Sequence, residues 1–424
     1  MADSQPKAEE LSPQHLLTLY NISGFMNSTL DFDQALDNVM DAIMEVTNAQ
    51  RGFLMIHDEE TSSLKVLVAR GIDGETIEDE GYSTTIVNEV ISSREPLLTN
   101  NAQYDERFNV GQSIIMRGLR AILCAPMLVG ERLIGAVYVD TAMKAGAFNP
   151  NDMALLKAVT GIAARAIENA RLYLVAVEKG RLEHELHMAH EIQRGLLPNQ
   201  LPDMKGFELA PHWESAREVA GDFYDAFALN DGFMGAVIAD VSDKGAPAAL
   251  FMAVARTLIR SHAHAGLSPF ETISRANDLL IDDAEDSGMF VTIFYSLFRE
   301  DGYTVSINGG HNPPAYFHKS SNSVEYLPQG GRALGWFPNN PLKETEFQMK
   351  SGDVIVYYTD GLTEAENPQG DYYGEDRLAT ALTQVSDQSA EQIKAYILED
   401  VDTFCDGQPP FDDLTMIVVK YTGA

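Results

Sequence analysis

The stretch "EVAGDFYDAF", Glu218 to Phe227, decides how the C-terminal half of the chain is read. Asp222 and Asp225 flank two aromatic residues directly after a glycine. A second acidic knot follows in "IADVSDKGAPAA", Ile238 to Ala249, which carries Asp240 and Asp243. Two more come later, "YYTDGLTEAEN" around Asp360 and "FDDLT" with Asp412 and Asp413. Each knot ends or follows a strand-like run, where burying an ionised carboxylate is costly unless a positive charge meets it. Carboxylates gathered with water and backbone carbonyls make oxygen-rich sites for hard divalent cations. No Cys/His cluster competes, which disfavours zinc. Taken singly, each residue has a plainer reading. An Asp before Gly suits a turn, Asp222 and Asp225 suit a loop that must accept backbone hydrogen bonds, and the 412–413 pair suits solvent.

Around these knots the C-terminal part reads as strands interleaved with two or three helices. The strand candidates are "GFMGAVIAD", "FVTIFYSLF", "YTVSIN", "DVIVYY" and "LTMIVVK". Ser268 with Glu271, and Ser389 with Gln392, have capping-box spacing at helix starts.

The N-terminal half has a different pattern. Apolar residues at helical spacing (Leu16, Leu17, Tyr20, Ile22, Phe25, then Leu36, Val39, Met40, Ile43, Met44) precede the strand-like runs "RGFLMIH" and "SLKVLVAR". "RAILCAPMLV" and "RLIGAVYVD" flank Gly130-Glu131 and predict a hairpin. Asn149, Pro150 and Asp152 mark the start of a further helix. Helices on an antiparallel sheet predict an α+β domain over residues 14–172. In residues 173–199 a helical linker is predicted. Its near-heptad seam of Leu172, Val175, Leu182, Leu186, Ala189 and Leu196, with Lys179 and Gln193 at the remaining positions, resembles a short coiled coil. A surface helix packed on its own domain is the alternative. Residues 200–424 form the third segment.

The chain has 424 residues, 45% of them hydrophobic and 22% charged, with a formal net charge of −33. That charge disfavours nucleic acid and anionic membrane as partners. Cys124 and Cys405 are too few for a disulfide framework or a four-cysteine metal site. "MADSQPKAEE" has no basic-then-apolar leader pattern, and no apolar run approaches membrane-spanning length, so a cytoplasmic protein is expected.

In order, "EVAGDFYD", "IADVSDKG", "GGHNPP" (309–314), "YYTDGLTEAEN" and "DDLT" resemble the metal-dependent protein serine/threonine phosphatases, the PPM superfamily. The likeness is to its bacterial branch of stage II sporulation and sigma-factor regulatory phosphatases. It covers residues 190–424, opening at "EIQRGLLP". The resemblance implies an αββα sandwich. It also implies two Mn2+ or Mg2+ ions held by Asp222, Asp240, Asp360, Asp412 and the Val241 carbonyl, with Asp222 and Asp240 bridging. Such an ion pair would activate water for attack on a phosphoserine or phosphothreonine protein, often an anti-sigma-factor antagonist in that branch. Two positions depart from the family pattern, since Ala220 and Asp243 stand where glycine is usual. Asp tolerates left-handed backbone, so the turn at 243 can survive. No residue matches the phosphate-binding arginine of the eukaryotic relatives. His311 reads as a general acid or as a structural residue in a turn, and Glu364 as a support to the metal ligands or as surface.

Residues 14–172 resemble a GAF domain through "QRGFLMIHDEETSSLKVLVARG", "NAQYDERF" (101–108), the hairpin, and the helix after it. This implies a sensor for an unidentified small molecule, while the seam from Leu172 to Leu196 predicts a homodimer through the domain and linker. Cys124 reads as a buried core thiol. A ligand-sensing module with an inactive phosphatase fold is the alternative function, and a mainly structural dimer a third.

Overall fold

The computed structural model describes residues 32–58, 63–71, 74–77, 81–100, 120–142, 147–284 and 288–423, and positions 19, 20, 24 and 102. The expected helix at Leu16, Leu17, Ile22 and Phe25, and all of "NAQYDERF" except Ala102, lie outside the described residues. The chain divides into two compact units, Met1–Gly180 and Arg181–Ala424.

In the first unit, α1 (Phe32–Thr47), β1 (Arg51–Asp58), β2 (Ser63–Arg70), α2 (Thr84–Ser93), β3 (Leu97–Thr99), β4 (Ala121–Val129) and β5 (Arg132–Thr141) lead into α3 (Pro150–Leu196). The strands form one antiparallel sheet in the order β2-β1-β5-β4-β3. Alternate residues serve its two faces. Leu123, Ala125, Val137 and Val139 pack with Met40, Ile43, Leu155 and Val159, whereas Ile122, Cys124, Ala136 and Tyr138 pack with Ile86, Val87 and Val90. The expected hairpin is present, with Gly130 at φ +62. Cys124 is fully buried, and desolvation raises its pKa far above that of a free thiol. Asn149 Oδ1 accepts from the Asn151 and Asp152 N–H groups at 2.8 and 3.2 Å, while Asp152 Oδ2 accepts from the Asn149 N–H at 2.8 Å. These bonds satisfy donors that a helix start leaves open. The last GAF-like helix and the expected linker helix are one continuous 47-residue element.

The second unit has two antiparallel five-stranded sheets. One is ordered β13-β10-β9-β8-β7, the other β12-β11-β14-β15-β6. Their strands are β6 (Phe207–Glu214), β7 (Phe223–Ala228), β8 (Phe233–Val241), β9 (Val291–Arg299), β10 (Tyr303–Gly309), β11 (Ala315–His318), β12 (Ser323–Tyr326), β13 (Glu344–Gln348), β14 (Val354–Tyr358) and β15 (Leu414–Tyr421). The helices are α4 (Ala246–His264), α5 (Pro269–Ala284), α6 (Asp360–Thr363), α7 (Gly374–Val385) and α8 (Ala390–Cys405). Period-two alternation divides each strand. Met234, Ala236 and Ile238 of β8 meet Ile355, Tyr357, Ile417 and Val419 between the sheets. Val237 and Ala239 face outward onto Met252, Ala255 and Ile273 of α4 and α5. Val354, Val356 and Val418 face Leu378, Ile393 and Ile397 of α7 and α8. The result is the αββα sandwich, with central strands buried on both faces, which is why they read as nearly unbroken apolar runs. Both expected capping boxes form, at Ser268/Glu271 and Ser389/Gln392.

Candidate metal centre

The antiparallel pairing brings four chain segments to one end of the sandwich. Asp222 immediately precedes β7, and Asp240 and Val241 finish β8, with Phe223 registered opposite Ala239. Asp360 follows β14 and begins α6, and Asp412 lies just before β15, with Tyr358 opposite Met416. The segments at 360–361 and 412–413 touch backbone to backbone. A Cβ on Gly361 would lie 2.0 Å from the Asp413 carbonyl oxygen, so only glycine fits.

Electrostatics couple these carboxylates. Asp222 is 3% exposed, and its Oδ2 is buried without a hydrogen-bond partner. Burial first, and then the Asp240 charge, hold its carboxyl well above the usual range, against the pull of the Thr359 and Thr415 hydroxyls. Burial and Asp360 push Asp240 up to about 7. Burial, Asp412 and Glu364 raise Asp360. A group of carboxylates that oppose one another's ionisation is a place where added positive charge is stabilised. The orphaned Asp222 oxygen and the all-oxygen donor set therefore fit a hard divalent cation. Among the described residues, no three acidic, imidazole or thiol side chains close on one point tightly enough to hold an ion alone. Asp412 instead pairs with Lys244 at 2.8 Å, and the Lys244 ammonium lies 4.6 Å from the Phe411 ring centre.

The other acidic residues of the knots take different places. Asp225, 1% exposed within β7, accepts from Arg260 at 2.7 Å and pairs with Arg256 at 2.9 Å, so it is an internal ion-pair partner. Asp413 accepts from the Ala216 and Gly221 N–H groups at 2.8 and 2.9 Å and braces the loop before Asp222. Asp243 adopts φ +75, the left-handed backbone anticipated for it. Glu364 is exposed and helps line a cavity of about 350 Å³ that also borders Gly361, Asp402, Phe411 and Asp412. His311 is 1% exposed. Its Nε2–H donates to the Tyr358 carbonyl at 3.1 Å, which leaves Nδ1 to accept from the Thr292 hydroxyl at 2.9 Å. Burial lowers its pKa to about 4, so the ring is neutral and fully used in tying β9 to the end of β14. These contacts support the structural reading of His311.

One participant was assigned elsewhere by the sequence pattern. Gln193, placed in the linker seam, is 4% exposed and bonds the Ala220 backbone. An amide at a seam position four residues before the "LP" that ends the helix is the available signal.

Comparison with known proteins agrees with this architecture. Residues 230–422 match the family described as Stage II sporulation protein E (SpoIIE), and residues 29–168 match the GAF domain family. The first match spans Asp240, Asp360 and Asp412, while Asp222 lies upstream of it. The chain is 32% identical to Protein IcfG of Synechocystis sp. over 272 residues, 57% of this chain and 42% of that protein. It is 27% identical to Phosphoserine phosphatase RsbU of Bacillus subtilis over 240 residues, 56% of this chain and 70% of RsbU. The chain thus spans less than half the length of the first of these relatives. The solved SiaA-PP2C domain of Pseudomonas aeruginosa matches 58% of this chain and 99% of its own, with a TM-score of 0.51 at 20% identity, a likeness of fold. The chain therefore has a segment similar to the GAF domain family, residues 29–168, followed by a segment similar to the SpoIIE family, residues 230–422.

Proposed function

We propose that the chain is a metal-dependent protein serine/threonine phosphatase regulated by its GAF domain. The observation that carries this reading is the mutually opposed carboxylate set around the orphaned Asp222 oxygen. Asp222, Asp240, Asp360, Asp412 and the Val241 carbonyl would hold two Mn2+ or Mg2+ ions. When bound, the ions supply activated water and positive charge for in-line displacement at phosphorus. The chain's own residues deliver and space the carboxylates. Gly361 and Asp413 fix the loops, and His311 holds the ends of β9 and β14 together. The cavity bordered by Gly361 and Asp412 gives room for a side chain flanking the phosphorylated residue.

The substrate would be a phosphoserine or phosphothreonine protein, and the name of RsbU favours phosphoserine. An anti-sigma-factor antagonist is the candidate that follows from the family resemblance. A small molecule of unassigned class would act on the GAF domain. The domain limits that suit this reading are 14–172, 173–199 and 200–424. Dimerisation through the linker is supported by the exposure of Leu172, Val175 and Leu182, at 56, 59 and 52%. Gln193 is turned into the C-terminal unit and drops out of that seam. Light scattering should show a dimer that Leu182→Asp with Leu186→Asp dissociates, and a monomeric parent protein would end the dimer reading.

The phosphatase reading is tested by hydrolysis of p-nitrophenyl phosphate and a phosphoserine peptide with Mn2+, after chelation, and in Asp240→Asn and Asp360→Asn. Turnover should need the metal and fall at least about a hundredfold in each variant. Metal-independent turnover, or full turnover in both variants, contradicts the assignment. A correctly folded parent protein that binds Mn2+ but hydrolyses neither substrate would favour the inactive sensing module.

A further inference from the structure

We propose that Gln193, in the last turns of α3, is a positioning residue for Asp222. This inference rests on the metal-centre reading above. The Gln193 Nε2–H donates to the Ala220 carbonyl at 2.9 Å, and its Oε1 accepts from the Ala220 N–H at 3.1 Å. One side chain thus satisfies both backbone groups of a fully buried residue two positions before Asp222. An apolar residue at 193 would leave that donor and acceptor unpaired away from water, which is costly.

A second contact from the same helix face reaches Asp222 itself. His190, three residues earlier and so on the same side of the helix, packs on Trp213 with ring centres 5.2 Å apart. Trp213 Nε1–H donates to the Asp222 carbonyl at 3.0 Å. The helix end therefore holds the loop at Ala220 and, through Trp213, at Asp222. Leu197, just past the helix, packs in the core beneath α4 and α5 and fixes the helix end. Asp413 grips the same loop at Ala216 and Gly221. Side chains that orient a metal ligand from behind commonly change metal affinity about 10- to 100-fold when removed. Gln193 is in that position toward Asp222, and the end of α3 is part of the support of the metal centre.

The test is Mn2+ binding to the full chain by titration calorimetry, well below the melting temperature, with folding checked by circular dichroism. Gln193→Met keeps the length of the side chain and removes both hydrogen bonds. It should weaken Mn2+ binding about tenfold or more. Trp213→Phe keeps an aromatic ring against His190 and removes the bond to Asp222; it should weaken binding by a smaller factor. A purely structural role predicts a lowered melting temperature with parental Mn2+ affinity. That result in folded Gln193→Met overturns the inference. If Gln193→Met does not fold, Gln193→Glu replaces it, since Glu still accepts from the Ala220 N–H but cannot donate to the Ala220 carbonyl. The same weakening is expected there, and parental affinity again overturns the inference. A parent protein that takes up no Mn2+, or uptake unchanged by Asp222→Asn, overturns the metal-centre reading and this inference with it.

Discussion

Asp140 of the N-terminal unit and Asp222 of the C-terminal unit are equally dry, at 1 and 3% exposure, yet they are provided for in opposite ways. Asp140 meets Arg51 through two hydrogen bonds, at 2.9 and 2.5 Å. Asp222 has Asp240 and Asp413 as charged neighbours and an oxygen with no partner. Asp225, only three residues from Asp222, follows the Asp140 pattern with Arg256 and Arg260. A buried carboxylate normally finds its cation within the fold. Where the chain gathers several carboxylates and leaves one oxygen without a partner, the charge is met by a proton or, on the proposed reading, by a bound cation. The contrast separates a carboxylate paired with arginines from one set among other carboxylates, and it does so inside one ten-residue stretch.

The largest effects are expected at the carboxylates paired with arginine. Asp225→Ala leaves two guanidinium groups facing an empty buried place, and should destabilise the C-terminal unit by about 3–5 kcal/mol in a urea melt. Asp140→Ala should cost the N-terminal unit about 3 kcal/mol, toward the lower end because Arg51 is partly exposed. Asp222→Asn should act with the opposite sign. In metal-free protein it relieves repulsion and should raise the melting temperature by roughly 3 °C, while abolishing any rise on adding Mn2+. A fall in the metal-free melting temperature as large as that of Asp225→Ala would erase the distinction. Lys244→Ala breaks a half-exposed pair with Asp412 and should change metal-free stability by less than about 1 kcal/mol. Lys157→Ala, at the exposed pair with Glu95, should fall within about 0.5 kcal/mol, near the limit of measurement.

Much of this was legible from the sequence. Asn149 with Asp152, the Gly130 hairpin and the two later capping boxes are local devices, and local chemistry is readable from neighbouring residues. The sandwich was legible through the family resemblance, and its alternation is plain in β8, where Met234, Ala236 and Ile238 take one face. The four acidic knots could be placed at strand ends because each borders an apolar run. What each aspartate meets was not legible. Asp222 and Asp225 share one motif, but the arginines that distinguish them are on α4, more than thirty residues away. Asp412 and Asp413 are neighbours in sequence, and only the path of the loop at 216–221 shows which one braces the backbone. Gln193 was misplaced because heptad spacing describes one face of a helix without saying what that face meets.

The contact at Gly361 carries a consequence for descent. The separation of the chain segments carrying Asp360 and Asp412 is set where the Gly361 Cα approaches the Asp413 carbonyl, main chain against main chain. Among the side chains, the Thr359 hydroxyl adds to this spacing, meeting the Asp413 carbonyl at 3.3 Å and the Thr415 N–H at 3.0 Å. The same arrangement makes position 361 intolerant, since even one methyl group would collide with the carbonyl oxygen. The side chains lining the neighbouring cavity can therefore change while the ruler beneath the carboxylates stays the same length.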